Sequence, residues 1–332
     1  MKTCTNCILP ETFPGVTFDS NDTCVFCQKF EGKKLKLTED KKKYEQKFLD
    51  MLSTRSNKHK SYDVLMAYSG GKDSTYTMYL LHSKYNLRIL AFSFDNGFIS
   101  RTSLENIKEV TDRLGIDHVM FKPQWAILKE IFVHASENEL YAKKTLERAS
   151  TICTSCIGMV KSLCLKTAIE QNIPMIGFGW SPGQAPVQSS IMKNNPSLIK
   201  MTQNAILSPL REIIGDEIEA YFLNESHFSQ SGKFPHNIHP MAWEYYNEEM
   251  ILEEIKKLGW KEPEDTDTNS SNCLINAFAN DIHIKRYGFH PYVWEIANMV
   301  REGVMSREEG YKKIYQEQDR GLVDIARNKL GI

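Results

Sequence analysis

The apolar run Val64-Leu65-Met66-Ala67-Tyr68 stops abruptly at Ser69-Gly70-Gly71-Lys72-Asp73-Ser74. The next residues, Thr75-Tyr76-Thr77-Met78-Tyr79-Leu80-Leu81, place apolar side chains at helical spacing. A strand, a glycine turn and a helix start in that order build a cradle for an anion. The glycines let backbone N–H groups approach an oxyanion, and the helix dipole favours negative charge there. Ser69, Ser74 and Thr75 add hydroxyl donors and Lys72 adds a positive charge. Asp73 is the odd member. A carboxylate beside a phosphate repels it unless it helps to hold a cation, for which Mg²⁺ is the natural expectation.

The pattern continues downstream. Arg88–Phe94 (RILAFSF), His118–Phe121 and Pro174–Trp180 (PMIGFGW) read as further strands. Ser74–Tyr85, Ser103–Leu114, Trp125–Phe132 and Ser162–Gln171 read as the helices between them. Such alternation predicts an α/β fold, a doubly wound parallel sheet with helices on both faces. Ligands in such sheets sit beyond the carboxyl ends of the strands. The glycine turn, Asp95-Asn96 and Ser181-Pro182-Gly183-Gln184 all fall at that edge. The alternation is expected to stop after residue 185. Residues 186–240 read as an insert or lid, and 247–258, 272–286, 291–301 and 306–318 as helices, the last opened by a Ser306/Glu309 capping box. The chain thus divides into a cysteine module (1–30), a basic helical linker (31–60), the sheet core (61–185), and an insert plus helical C-terminal region that completes the site (186–332).

Charge and cysteine usage narrow the function. The net charge of −1 gives no overall field for nucleic acid or an anionic membrane, although Lys33–Lys43 is a local basic stretch. No unbroken run of eighteen apolar residues is present, and Met1-Lys2-Thr3-Cys4 has no apolar leader, so a cytoplasmic protein without a membrane span is expected. Eight cysteines in that compartment read as metal ligands rather than disulfides. Cys4-x2-Cys7 and Cys24-x2-Cys27 enclose a segment of turn formers, and two such knuckles suit a structural Cys4 zinc ribbon. Cys153-x2-Cys156 with the distant Cys273 could hold three irons of a 4Fe-4S (iron-sulfur) cluster, the fourth iron staying open to an exogenous ligand such as hydrosulfide. Zinc completed by His283 or His290, persulfide chemistry, or simply buried thiols are the alternatives. Cys164 is left over.

SGGKDS matches S-G-G-x-D-S, the signature of the PP-loop ATP pyrophosphatases, and is not a Walker A loop. The resemblance implies that ATP is split between its α- and β-phosphates, that a substrate oxygen is adenylated, and that a nitrogen or sulfur nucleophile then displaces AMP. It places ATP on Tyr68, Ser69, Gly70, Gly71, Lys72, Asp73, Ser74, Phe94 and Asp95, with Mg²⁺ on Asp73. Lys72 and Asp73 are the expected catalytic residues at the phosphates, and Cys153, Cys156 and Cys273 those at the nucleophile. CTNCILPETFPGVTFDSNDTCVFC, AYSGGKDS, SFDNGF, NCLINAFANDIH and VREGVMSREEG, in that order, resemble the N-acetyl sugar amidotransferase family, which uses ammonia from a glutaminase partner. SGGKDS with the three cysteines also resembles the tRNA-thiolating PP-loop enzymes, and nucleobase-thionating relatives combine both sets of features. No glutaminase triad is visible, and only one ribbon and no basic balance are present for tRNA.

The favoured expectation is therefore an ATP-dependent sulfurtransferase acting on a carbonyl or amide-like oxygen of a small molecule or nucleobase, served by a separate sulfur donor. Sugar amidation with a partner glutaminase is the runner-up, and an ATP-binding module without transfer chemistry stands third. tRNA is a less favoured partner, and a homodimer is the default assembly.

Overall fold

In the computed structural model, which describes residues 1–54, 61–267, 270 and 272–332, four strands fall where the apolar runs lie. They are β1 (Val64–Ala67), β2 (Ile89–Phe94), β3 (Asp117–Phe121) and β4 (Met175–Phe178). All four are parallel, with Val64 opposite both Ile89 and Met175. Side chains alternate between two apolar layers. Val64, Met66, Ile89 and Ala91 enter one; Leu65, Leu90, Phe92 and Ile176 enter the other. A sheet buried on both faces needs an almost continuous apolar run, which is what VLMA and ILAF supply.

The sheet does not end at residue 185. β5 (Ile191–Lys193) and β6 (His236–Ile238) extend it to six strands in the order β3-β2-β1-β4-β6-β5. β6 runs parallel to β4, and β5 closes the edge antiparallel to β6. The insert expected to lie outside the strand–helix pattern therefore supplies two strands and the helix Pro196–Ile214. From β1 the chain moves outward through β2 and β3 and then returns to the other side of β1 with β4. The crevice between β1 and β4 is the topological switch point, where doubly wound sheets bind ligands.

Two helices differ from expectation in ways that matter for the site. The helix expected from Ser162 begins at Thr151 and runs to Glu170, with Ser150 as N-cap accepting from Cys153 N. Cys153 and Cys156 thus lie inside its first turns. By length and composition this helix could cross a membrane, whereas no span is expected from the sequence; here it packs on β1, β4 and five neighbouring α-helices. Cys273, expected in a helix, lies in a turn bridged to Ile99, and the helix starts at Asn276. In the basic linker, Lys34–Ser53 is helical and Phe48 packs on Tyr85 and Trp243; residues 55–60 of the linker lie outside the described residues.

The N-terminal cysteine segment is built into the C-terminal helices. Phe13 stacks on Trp294 with ring centroids 5.4 Å apart, and Arg307 donates to the carbonyls of Cys4 and Cys7. Tyr315 OH donates to Ile8 O at 2.6 Å. The Ser306/Glu309 capping box forms as expected.

Candidate active site

The glycine turn is held in the shape a phosphate cradle needs. Gly70 has φ +76°, and a Cβ there would lie 2.6 Å from Ser103 O, so only glycine fits. Trp260 Nε1 donates to Gly70 O at 2.9 Å, which fixes the outer side of the turn. Gly71 caps the helix Lys72–Tyr79. Ser69 and Ser74 hydroxyls lie 3.0 Å apart, and Thr75 Oγ1 donates to Gly71 O at 2.9 Å. Across the switch point, Gly179 lets the end of β4 approach Ser74, where a Cβ would come within 2.4 Å of the Ser74 Cα.

Lys72 is drawn into a polar knot with the C-terminal region. Its Nζ lies 2.8 Å from Glu248 Oε1, donates to Tyr246 OH at 3.1 Å and stands 3.7 Å from Asp73. Burial works against its charge, but Asp73, Tyr246 and Glu248 outweigh burial and hold the ammonium protonated. Asp73 is pushed up by burial, with Lys72 pulling the other way. These residues face a cleft of about 300 Å³, which falls at the lower end of ligand-pocket volumes.

Of the residues expected to hold ATP, Ser69, Gly71, Lys72, Asp73 and Ser74 line this cleft. Gly70 stands behind them. Tyr68 is a core residue whose OH meets Thr75 Oγ1 at 3.3 Å. Phe94 stacks on Phe121. Asp95 accepts from Gly97 N at 2.8 Å and pairs with Lys122 at 3.3 Å, so it closes the Asp-Asn-Gly turn.

The cleft has a second wall that the sequence did not single out. Glu295, on the helix Val293–Glu302, accepts from Ser181 Oγ at 2.8 Å, and Tyr292 stands one turn away. Burial pushes the Glu295 carboxyl up to about 7, helped by the Asp73 charge and opposed by Ser181, Gln184 and Arg148. The folded state then holds a proton that the unfolded chain has released between about pH 4.5 and pH 7. Stability contributed by Glu295 is therefore present at the acid end of that window and lost as pH rises through it. Glu295→Gln is expected to flatten the stability-versus-pH curve over this range in urea melts.

The three dispersed cysteines converge beside this wall. Asn96 Nδ2 lies 3.4 Å from Cys273 Sγ and 3.7 Å from Cys156 Sγ, while Asn96 Oδ1 accepts from Phe98 N at 2.8 Å. Cys153 Sγ is 3.8 Å from Asn276 Oδ1, to which Tyr292 OH donates at 2.9 Å. Burial raises all three thiols, Cys153 to about 11. Buried thiols of this kind ionise only with a compensating positive charge. Cys164 lies apart in the apolar layer.

The four N-terminal cysteines form a different object. Cys4–Cys27 and Cys7–Cys24 sulfurs are each 3.7 Å apart, and all four lie within 4.8 Å of one another. A tetrahedral ion with metal–sulfur bonds of about 2.3 Å sets sulfurs about 3.8 Å apart, so the donor set fits one such ion. Among the described residues no other group of three or more ligating side chains is this compact. The Cys153, Cys156 and Cys273 thiols do not form a group that compact. His283 and His290 complete no compact site with them.

Arg301 donates to Cys7 Sγ at 3.3 Å from the same helix that carries Glu295. Loss of metal from the N-terminal site should therefore be felt in the cleft wall. Cys4→Ser is expected to bind less metal by elemental analysis and to lose several kcal/mol of stability in urea melts, because a metal there would replace a core this segment is too short to build. Chemistry per folded molecule should fall much less.

No protein-family profile matches the chain. The uncharacterized protein MJ1599 of Methanocaldococcus jannaschii is 21% identical over 299 residues, covering 90% of this chain and 87% of that one. Among solved structures, the U34-tRNA thiolase NcsA from Methanococcus maripaludis with its 4Fe-4S cluster is similar over 100% of this chain and 89% of its own, at 18% identity and a TM-score of 0.41. NMN synthetase from Francisella tularensis is similar over 88% of this chain and 96% of its own, at 14% identity and a TM-score of 0.38.

Proposed function

We propose that this chain is an ATP-using enzyme of the PP-loop type that adenylates a carbonyl or amide-like oxygen and replaces it with sulfur. One observation carries the reading. The cleft that begins at Ser69, Lys72 and Ser74 continues to Asn272 and Tyr292, which adjoin Cys273 and, through Asn276, Cys153. Activation and nucleophile delivery would thus share one cleft.

In this reading the backbone around Gly71, the Ser74 hydroxyl and Lys72 take the pyrophosphate, displacing Glu248 from Lys72, and Asp73 takes Mg²⁺. Donors already aimed at the phosphates stabilise the charge that spreads as AMP becomes a leaving group. Cys153, Cys156 and Cys273 would hold three irons of a 4Fe-4S cluster, whose fourth iron supplies a position for an exogenous sulfur ligand. Zinc in the N-terminal ribbon would be structural. The acceptor is a small molecule or nucleobase that fits a cleft walled by Tyr246, Trp260 and Tyr292.

Titration calorimetry with ATP and Mg²⁺ tests the foundation, followed by pyrophosphate release with a panel of nucleobases and small amides. Saturable nucleotide binding and acceptor-dependent pyrophosphate are the expected results. Absence of nucleotide binding would remove the reading. Binding with turnover only in the presence of ammonia would move it to amidation.

A further inference from the structure

Glu248 Oε1 stands between two ammonium groups, 2.8 Å from Lys72 Nζ and 3.9 Å from Lys313 Nζ. The three residues come from three parts of the chain. Lys72 opens the helix after the glycine turn, Glu248 opens the helix Glu248–Lys257, and Lys313 lies in the last turn of the helix Arg307–Tyr315. All three line the cleft. An acidic oxygen held between two lysines has the surroundings that a bound phosphate oxygen has, because ammonium groups act on phosphate as point charges.

The charges account for what the carboxylate does there. Lys72 and Lys313 meet Glu248 and Asp73, two cations against two anions. With Glu248 in place these four groups sum to zero and offer a polyphosphate no surplus attraction. Glu248 is also the member able to leave. Its side chain is 38% exposed, against 15% for Lys72. In the first turn of its helix it keeps a favourable dipole whether or not it touches a lysine.

The helix that carries Lys313 is held in place. Gly310, one turn earlier, packs against Val300, where a Cβ would come within 2.9 Å of the valine side chain. Arg307 and Tyr315, at the two ends of the same helix, donate to carbonyls of the N-terminal cysteine segment. The C-terminal region thus brings a second cation to a cleft whose glycine turn lies far earlier in the chain.

The geometry points to Glu248 as a built-in stand-in for phosphate, and to Lys313 as the second arm of a clamp that closes with Lys72 on a pyrophosphate group once Glu248 swings out. The clamp rests on the preceding functional reading only in taking that pyrophosphate to be part of ATP.

Titration calorimetry on the full chain without Mg²⁺, with inorganic pyrophosphate, ATP and AMP as separate probes, tests it. Lys313→Gln is expected to weaken pyrophosphate and ATP by about ten- to a hundredfold, the scale of one hydrogen bond to a charged group, and Lys313→Arg to recover most of that loss. Glu248→Gln keeps the shape and removes the charge. It is expected to tighten both probes by about tenfold, because the open state no longer competes with the ion pair. AMP lacks the two outer phosphates and should bind both variants as it binds the wild type. Unchanged or weaker pyrophosphate binding by Glu248→Gln overturns the proposal, and that variant decides alone where Lys313→Gln does not fold. A protein that holds pyrophosphate with both expected shifts and takes no ATP keeps the clamp and loses the PP-loop reading. One that binds ATP equally well in all forms keeps the reading and loses the clamp. Binding of neither probe removes both.

Discussion

Asp73→Ala should reduce ATP-driven pyrophosphate release by a factor on the order of 10²–10³ while leaving the fold intact, the usual scale for removing one preorganised charge-stabilising group. The size follows from where the carboxylate stands. Asp73 is the second residue of the helix Lys72–Tyr79, at the mouth of the cleft, with Lys72 Nζ 3.7 Å away. Burial raises its pKa, and so does the neighbouring Glu248 charge; only Lys72, Tyr246 and Lys313 favour its ionised form. Two carboxylates around one lysine are a poor welcome for a triphosphate. They become useful when a divalent cation joins them, because the cation bridges carboxylate and phosphate. The alanine variant loses that ligand and keeps the cradle of Gly70 and Gly71. Binding of ATP without Mg²⁺ should therefore change little, and Mg²⁺-dependent tightening should vanish. Melting temperature reports the fold. Full turnover by a well-folded Asp73→Ala protein would take the metal away from this residue.

Much of this arrangement is legible before any coordinates, and the reason is local. The glycine turn, β1, β2 and β4 announce themselves because a strand buried on both faces is a run of apolar residues that ends at a turn former. The CxxC pairs are equally visible, since a ligand spacing is written into consecutive residues. β6 is not legible. His236-Asn237-Ile238 is too short and too polar to show a period, and it is a strand only because β4 and β5 pair with it. The helix around Cys153 was placed too late because TICTSCIGM carries no amphipathic stripe; the element is buried on several sides. Glu248, Tyr246 and Glu295 were missed for a different reason. Each meets the glycine turn or Ser181 across more than a hundred residues of chain, and no local pattern records such a contact. Asp95 is the converse. Asp95-Asn96-Gly97 is a local turn-forming run, and the Asp95 carboxylate accepts from Gly97 N.

Anaerobically purified protein should be brown, with about four irons and four sulfides per chain, and Cys273→Ser should be colourless with the ribbon metal retained. The argument starts from the spacing of the thiols. The N-terminal sulfurs stand 3.7 Å apart in pairs and fit one ion, whereas Cys153, Cys156 and Cys273 do not gather into a group that compact. A cube of four irons is larger than one ion and asks its ligands to stand further apart. Burial raises all three thiols, so an ionised trio is stable here only around a concentrated positive charge. Asn96, donating toward Cys156 and Cys273, stabilises thiolates and has no comparable use for neutral thiols. Cys273 is the informative substitution because it comes from a different part of the chain. Its loss leaves the helix Thr151–Glu170 untouched, so a colourless Cys273→Ser protein with unchanged melting behaviour separates loss of the cluster from loss of the fold. Elemental analysis decides the competing case. Zinc at both cysteine sets, with no iron or sulfide, would give Cys153, Cys156 and Cys273 a structural task and shift the transferred atom from sulfur to nitrogen.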